Sequence, residues 1–138
     1  MRSSKDEREV LADFAARYTT PSTDAVKEVE RRVIGAVWGA EGFTTIAQAD
    51  LIAERLVLTP EKRLLDIGTG RGWPGLYLAR RTGCEIVLTD LPLEGLQHAL
   101  RRANAESVSA VGAVMASARD LPFGKDSVDA IVHTDVLC

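Results

Sequence analysis

Hydrophobic residues recur along this chain in two different rhythms, and the change between them falls near residue 60. Over the first stretch the spacing is helical. Ser4-Lys5-Asp6-Glu7 has capping-box spacing, and Val10, Leu11, Phe14 and Tyr18 then recur on one face, which predicts a helix to about Tyr18. Thr20-Pro21-Ser22-Thr23-Asp24 breaks it and opens a second helix, with Val26, Val29, Val33 and Val37 as an apolar stripe opposite Lys27, Glu28, Glu30 and Arg31. The two helices read either as an amphipathic cover for a sheet or as a lid. Trp38 to Thr45 is a glycine-flanked aromatic loop. Thr45-Ile46-Ala47-Gln48 repeats the capping-box spacing, and Ile46, Ala49, Ile52 and Leu56 give a third helix its buried face.

Beyond residue 60 the apolar runs become short and end in acids or glycines. Leu64-Leu65-x-Ile67 is too short for a helix and suits a strand buried on both faces. A helix follows with Pro74 in its first turn, Leu76, Tyr77 and Ala79 on its apolar side, and Arg80-Arg81 and Gly83 at its end. Glu85 to Asp90 reads as a second strand. The next helix, from about Leu93 to Ala105, turns Leu96, Ala99, Leu100 and Ala103 inward and leaves His98, Arg101 and Arg102 wet. Ala110 to Met115 is a third strand, weak in its alanines and glycine, and Ala130-Ile131-Val132 is a fourth. Strands alternating with helices predict an α/β fold around a parallel sheet.

The chemistry gathers at the glycines after the first strand. Gly68, Gly70 and Gly72 let the backbone turn sharply, and the turn feeds a helix N-terminus whose amides and dipole suit a nucleotide. Gly70-x-Gly72-x-x-Gly75 also fits the dinucleotide fingerprint of NAD-binding domains. Asp66 separates the two readings, because a carboxylate at the strand tip repels a pyrophosphate and favours a ligand carrying an ammonium group. Asp90, at the end of the second strand, is 24 residues beyond Asp66. An acid there accepts hydrogen bonds from both ribose hydroxyls; alone, it also reads as a cap for the helix that follows.

Leu65-Asp66-Ile67-Gly68-Thr69-Gly70-Arg71-Gly72 resembles the first motif of the class I S-adenosylmethionine-dependent methyltransferases of small molecules. The resemblance extends from about Leu64 to Leu137. It implies a Rossmann-like parallel sheet with flanking helices, the first four strands of that fold, preceded by N-terminal helices. Residues 1–59 would be a helical cover or lid and residues 60–138 the cofactor-binding half, in one structural domain. The implied cofactor is S-adenosylmethionine, with Asp66, Gly68, Thr69, Gly70 and Gly72 at its methionine end, Asp90 on the ribose and Leu91 on the adenine. Ser117-Ala118-Arg119 matches the adenine-contacting segment, although many relatives carry an aspartate where Ser117 stands. Phe43, Thr44 and Gln48 are further candidate contacts, or simply loop packing and capping. His133 and Asp135, just past the fourth strand, would line the sulfonium and face the methyl acceptor.

Methyl transfer from a sulfonium is an in-line displacement whose leaving group is already activated, so the protein contributes mainly alignment and exclusion of water. A base is needed only for a protonated acceptor, and His133, Asp135 and Tyr18 are the candidates. Two rivals stand beside the small-molecule methyltransferase: an inactive methyltransferase-like binding or assembly module, and an NAD-dependent oxidoreductase. The family's sheet has seven strands where this chain offers four. The expectation is therefore a fragment of a longer enzyme, or a homodimer that covers the apolar edge of the fourth strand.

Composition narrows the partners. The chain has 138 residues, 46% of them apolar, with a net charge of −3, so one core is affordable and no broad basic surface points to nucleic acid. The polar start does not resemble a signal peptide and no apolar run reaches membrane-spanning length, which leads to the expectation of a cytoplasmic protein without membrane contact. Cys84 and Cys138 are too few and too far apart for a metal site or disulfide framework.

Overall fold

A computed structural model describes residues 5–108 and 111–136; Ser4 of the first capping box, Ala110, Leu137 and Cys138 lie outside them. Three helices come first: α1 (Lys5–Thr19), α2 (Asp24–Ile34) and α3 (Ile46–Arg55). Strand and helix then alternate as β1 (Arg63–Ile67), α4 (Gly75–Thr82), β2 (Glu85–Asp90), α5 (Leu93–Ala105) and β3 (Val111–Met115), followed by β4 (Ala130–Val132). The strands form one parallel sheet in the order β3-β2-β1-β4. This is an α/β, Rossmann-like sheet with flanking helices.

Parallel order follows from the connections, since each helical crossover returns the chain to the same end of the sheet. The register sets Leu64 beside Ile86 and Asp66 beside Leu88, so Asp66, next to last in β1, and Asp90, last in β2, lie toward the same edge of the sheet. Leu64, Ile86 and Leu88 are fully buried in one cluster with Leu76, Leu78, Leu96 and Ala99 from α4 and α5. Truncating any of these leucines to alanine in such a core costs about 2–5 kcal/mol. Gly83 ends α4 in the left-handed conformation at φ 76°, the C-terminal signal visible in the sequence. Thr45 and Gln48 complete the capping box of α3 reciprocally, each accepting the other's backbone N–H. Gln48 is therefore engaged as a cap.

Four helical details differ from the sequence reading. The valine stripe of α2 faces water: Val26, Val29 and Val33 are 53%, 60% and 46% exposed, while Glu30 and Ile34 are buried. The helix turns this way because Glu30 has a specific partner to reach, described below. Val10 on α1 and Leu100 on α5 are also exposed, at the margins of faces that Leu11, Phe14, Leu96 and Ala99 dominate. Arg102 is half-buried rather than wet, with its guanidinium 5.0 Å from the Trp38 ring centroid and a 3.5 Å bond to the Val37 carbonyl. Pro74 occupies the N-cap position of α4, one residue earlier than expected.

Candidate functional site

The turn after β1 is held from within. Its glycines adopt left-handed backbone, with φ 69° at Gly68, 55° at Gly70 and 100° at Gly72, conformations that a side chain would strain. The Thr89 carbonyl at the end of β2 accepts the N–H groups of Gly68 (2.8 Å) and Thr69 (3.0 Å). Gly72 N–H reaches back to the Thr69 carbonyl at 2.9 Å. Asp66 lies beneath the turn, fully buried, and its Oδ2 accepts the Thr69 hydroxyl at 2.7 Å and the Gly75 amide at 3.0 Å. Gly75 is obligatory here because a Cβ would collide with that oxygen. Burial pushes the Asp66 carboxyl up to about 7 against the lowering effect of these two bonds, and the Asp90 charge adds to the rise. Asp66 thus holds the turn and is shielded from water.

Asp90 closes the turn from the other side. Its Oδ2 accepts the Gly70 N–H at 2.7 Å and its Oδ1 the Leu91 N–H at 2.8 Å. Burial raises its pKa, opposed by these two amide bonds. Leu91 beside it is 43% exposed. Met115 pairs with Asp90 across the sheet and the Ala116 amide donates to the Asp90 carbonyl at 3.0 Å, which brings Ser117, Ala118 and Arg119 to the same edge. Ser117 Oγ accepts the Arg119 amide at 3.2 Å, and the Arg119 guanidinium extends to Glu7 on α1 at 2.5 Å. Of the two amides expected to meet the adenine, that of Arg119 is therefore already engaged.

The remaining predicted residues separate. His133 is exposed and shares a groove between α3 and β4 with Leu51, Ile52, Arg55 and Leu56. Asp135 turns the other way: its Oδ2 accepts the Phe43 amide at 3.1 Å and the Thr44 hydroxyl at 3.2 Å. Tyr18 sits against Gly70 and Gly95, and burial raises its phenol far above the ordinary value, which keeps it protonated and unsuited to act as a base.

Comparison with known proteins places this arrangement. The model of the methyltransferase domain matches residues 64–138. This chain belongs to the methyltransferase domain family. Methyltransferase GfsG of Streptomyces halstedii is 34% identical over 79 residues, which are 56% of this chain and 28% of that protein. A SAM-dependent methyltransferase from Thiobacillus denitrificans, solved in complex with S-adenosyl-L-homocysteine, is similar with a TM-score of 0.57 at 27% identity, covering 64% of this chain and 36% of that one. Geranyl diphosphate C-methyltransferase from Streptomyces coelicolor shares the fold with a TM-score of 0.68 at 20% identity, covering 96% of this chain and 54% of that one. The methyltransferase domain here thus spans well under two thirds of the length of these relatives.

Three further residues support the site, Glu30 and Trp38 outside the family motif and Arg71 within it, and sequence reading gave none of them this role. Glu30, assigned to the polar face of α2, accepts the amides of Trp38 (2.7 Å) and Ala40 (3.0 Å), fixing the start of the aromatic loop. Trp38 lies between the guanidinium groups of Arg80 and Arg102, at 5.2 and 5.0 Å, and packs on Trp73 and Tyr77. Arg71, the one long side chain inside the turn, donates to the carbonyls of Arg17, Tyr18 and Thr20 at the end of α1, at 2.7 to 3.1 Å. It ties the N-terminal helix to the methyltransferase turn. An arginine flanked by two glycines is the only sequence signal for this, and it names no partner.

Proposed function

We propose that this domain forms the cofactor-holding part of an S-adenosylmethionine-dependent methyltransferase that acts on a small molecule. One observation carries the reading. The amides of Gly68, Thr69, Gly70, Gly72 and Gly75 are all bound by protein oxygens, so the turn is not an open anion cradle, and the Asp90 carboxylate stands beside it. Such a crevice suits a ligand that carries positive charge and hydroxyl donors and disfavours a pyrophosphate. The residues present fit S-adenosylmethionine on this ground.

When bound, that cofactor supplies an activated methyl group on a sulfonium. Asp90 would accept from the ribose hydroxyls through lone pairs that its two amide bonds leave free. Leu91 would cover one face of the adenine, and Ser117, Ala118 and Arg119 would border its edge. Gly68, Thr69, Gly70 and Gly72 would give the methionine end close approach to the backbone, while Asp66 maintains their conformation from below. Alignment and exclusion of water are the work left to the chain. His133 on the groove side is the candidate to meet a methyl acceptor or its proton. The domain division at residue 59 and a homodimer across the edge of β4 belong to the same proposal.

Calorimetric titration with S-adenosylmethionine, S-adenosylhomocysteine and NAD tests it. The expected result is binding of the two adenosyl-sulfur ligands and none of NAD; preferential binding of NAD overturns it. A second reading, a binding module without turnover, draws support from Asp135 being engaged by Phe43 and Thr44 while His133 lies in the groove between α3 and β4. Cofactor binding with no methyl transfer to any of a panel of hydroxyl, amine and carbon acceptors would favour that reading.

A further inference from the structure

Three segments meet where the aromatic loop passes the glycine turn. The Trp73 indole N–H donates to the Thr44 carbonyl at 2.9 Å, joining the turn to the loop. Asp135 Oδ2 receives the Phe43 amide and the Thr44 hydroxyl, joining the loop to the segment after β4. Val136, next in the chain, packs so closely on Gly68 that a Cβ there would collide with its side chain, joining that segment back to the turn. The junction is tight: a Cβ at Gly42 would strike the Asp135 carboxylate. Asp135 itself adopts φ 56°, a left-handed conformation that aspartate tolerates better than most residues and that directs its carboxylate at the loop. Phe43, whose amide is held, keeps its ring 76% exposed.

We infer that Asp135 is a latch, a positioning residue whose carboxylate holds residues 42–44 across the mouth of the cofactor crevice and so governs how fast cofactor leaves. The inference rests on the function proposed above for its cofactor arm, and on the structure alone for the loop itself. A carboxylate whose Oδ2 already accepts two donors 91 and 92 residues away is placed to close a ring of backbone rather than to take a proton from substrate. With the latch released, Phe43 and Thr44 lose both bonds to Asp135 while the Thr44 carbonyl still accepts the Trp73 indole N–H.

Two substitutions release the latch by different routes. Asp135→Ala removes the acceptor, and Gly42→Ala drives a methyl group into it while leaving Asp135 in place. Asp135→Asn keeps an oxygen that accepts both bonds and removes the charge. Chymotryptic cleavage after Phe43, followed by mass spectrometry on the chain without ligand, reads the loop directly. Cleavage is expected to be about tenfold faster in Asp135→Ala and Gly42→Ala, no faster in the double variant, and close to the parent in Asp135→Asn. Parent-like cleavage in both releasing variants overturns the latch, and so does Asp135→Asn cleaving as fast as Asp135→Ala. If Asp135→Ala does not fold, Gly42→Ala with Asp135→Asn decides the matter. Stopped-flow release of S-adenosylhomocysteine then tests the link to cofactor, with the same order of rates expected. A parent that binds no S-adenosylhomocysteine refutes the proposed function while the cleavage result still judges the loop latch. Parent-like release rates from a loop that cleaves faster confine the latch to the loop and refute its control of the cofactor.

Discussion

Two pieces of irregular backbone meet where Trp73 bonds to Thr44, and they are held in different ways. The backbone amides of the glycine turn are tied to the strand pair beneath it: Asp66 lies two residues before it, Thr89 and Asp90 end the adjacent strand, and the middle of β1 is buried. The loop from Trp38 to Thr44 is tied by side chains from elsewhere, Glu30 on α2 at one end and Asp135 beyond β4 at the other. The turn is a platform that forms whenever β1 and β2 pair. The loop is a wall that depends on two carboxylates outside it being in place, one eight residues away and one beyond β4, and local opening is expected to come from it first.

The largest effect that would break this contrast belongs to the platform. Gly75→Ala sets a methyl group against Asp66 in a site with no room to relax, and a loss of about 3 kcal/mol or more, or failure to fold, is expected in chemical denaturation. Gly124→Ala is the matched control, since a Cβ there meets nothing within 4 Å. Next comes the charge beneath the turn. Burial lifts the Asp66 carboxyl from its ordinary 3.8 to about 7, so between these pH values the folded state holds the extra proton. Its contribution to stability is fully present below about pH 4 and is lost as pH rises through 7. Asp66→Asn should flatten that fall, which is worth on the order of 2–4 kcal/mol, and the check is denaturation midpoints from pH 4 to 8.

On the wall, Glu30→Ala leaves the Trp38 and Ala40 amides without an acceptor and should cost about 2–3 kcal/mol, with Glu30→Gln recovering most of it. Parent-like stability in Glu30→Ala would remove the carboxylate from the account of the loop. Smaller again is Asp90→Ala, expected to weaken S-adenosylmethionine binding about tenfold in calorimetry, roughly 1.4 kcal/mol. The smallest effect tests the orientation of α2. Val29→Ser on its outward stripe should shift stability by less than about 0.5 kcal/mol, whereas a buried valine would cost several times that.

Much of the platform was legible because its signals are local. Leu64 to Ile67 ends in glycines that only a turn accommodates, Gly83 stops α4, and Thr45 with Gln48 caps α3, all within a few residues of the structure they determine. The order of these signals also carried the family. The wall was not legible. Nothing in the period of α2 distinguishes a valine stripe turned inward from one turned outward, since both have the same hydrophobic spacing. The decision comes from Glu30 meeting two amides eight and ten residues later.

The two acids of the motif show the same division within the platform. Their positions at the ends of β1 and β2 followed from sequence, but Asp66 beneath the turn and Asp90 beside it were distinguished only by packing. Sequence by itself determined the α/β order of elements, the glycine turn and the family, because strand length, helical period and left-handed backbone are written in neighbouring residues. Tertiary structure alone decided that Asp66 is buried beneath the turn, that Asp90 accepts the Gly70 amide from beside it, and that Asp135 reaches back to Phe43. Those choices depend on burial and on hydrogen bonds between residues far apart in the chain, and no local pattern encodes either.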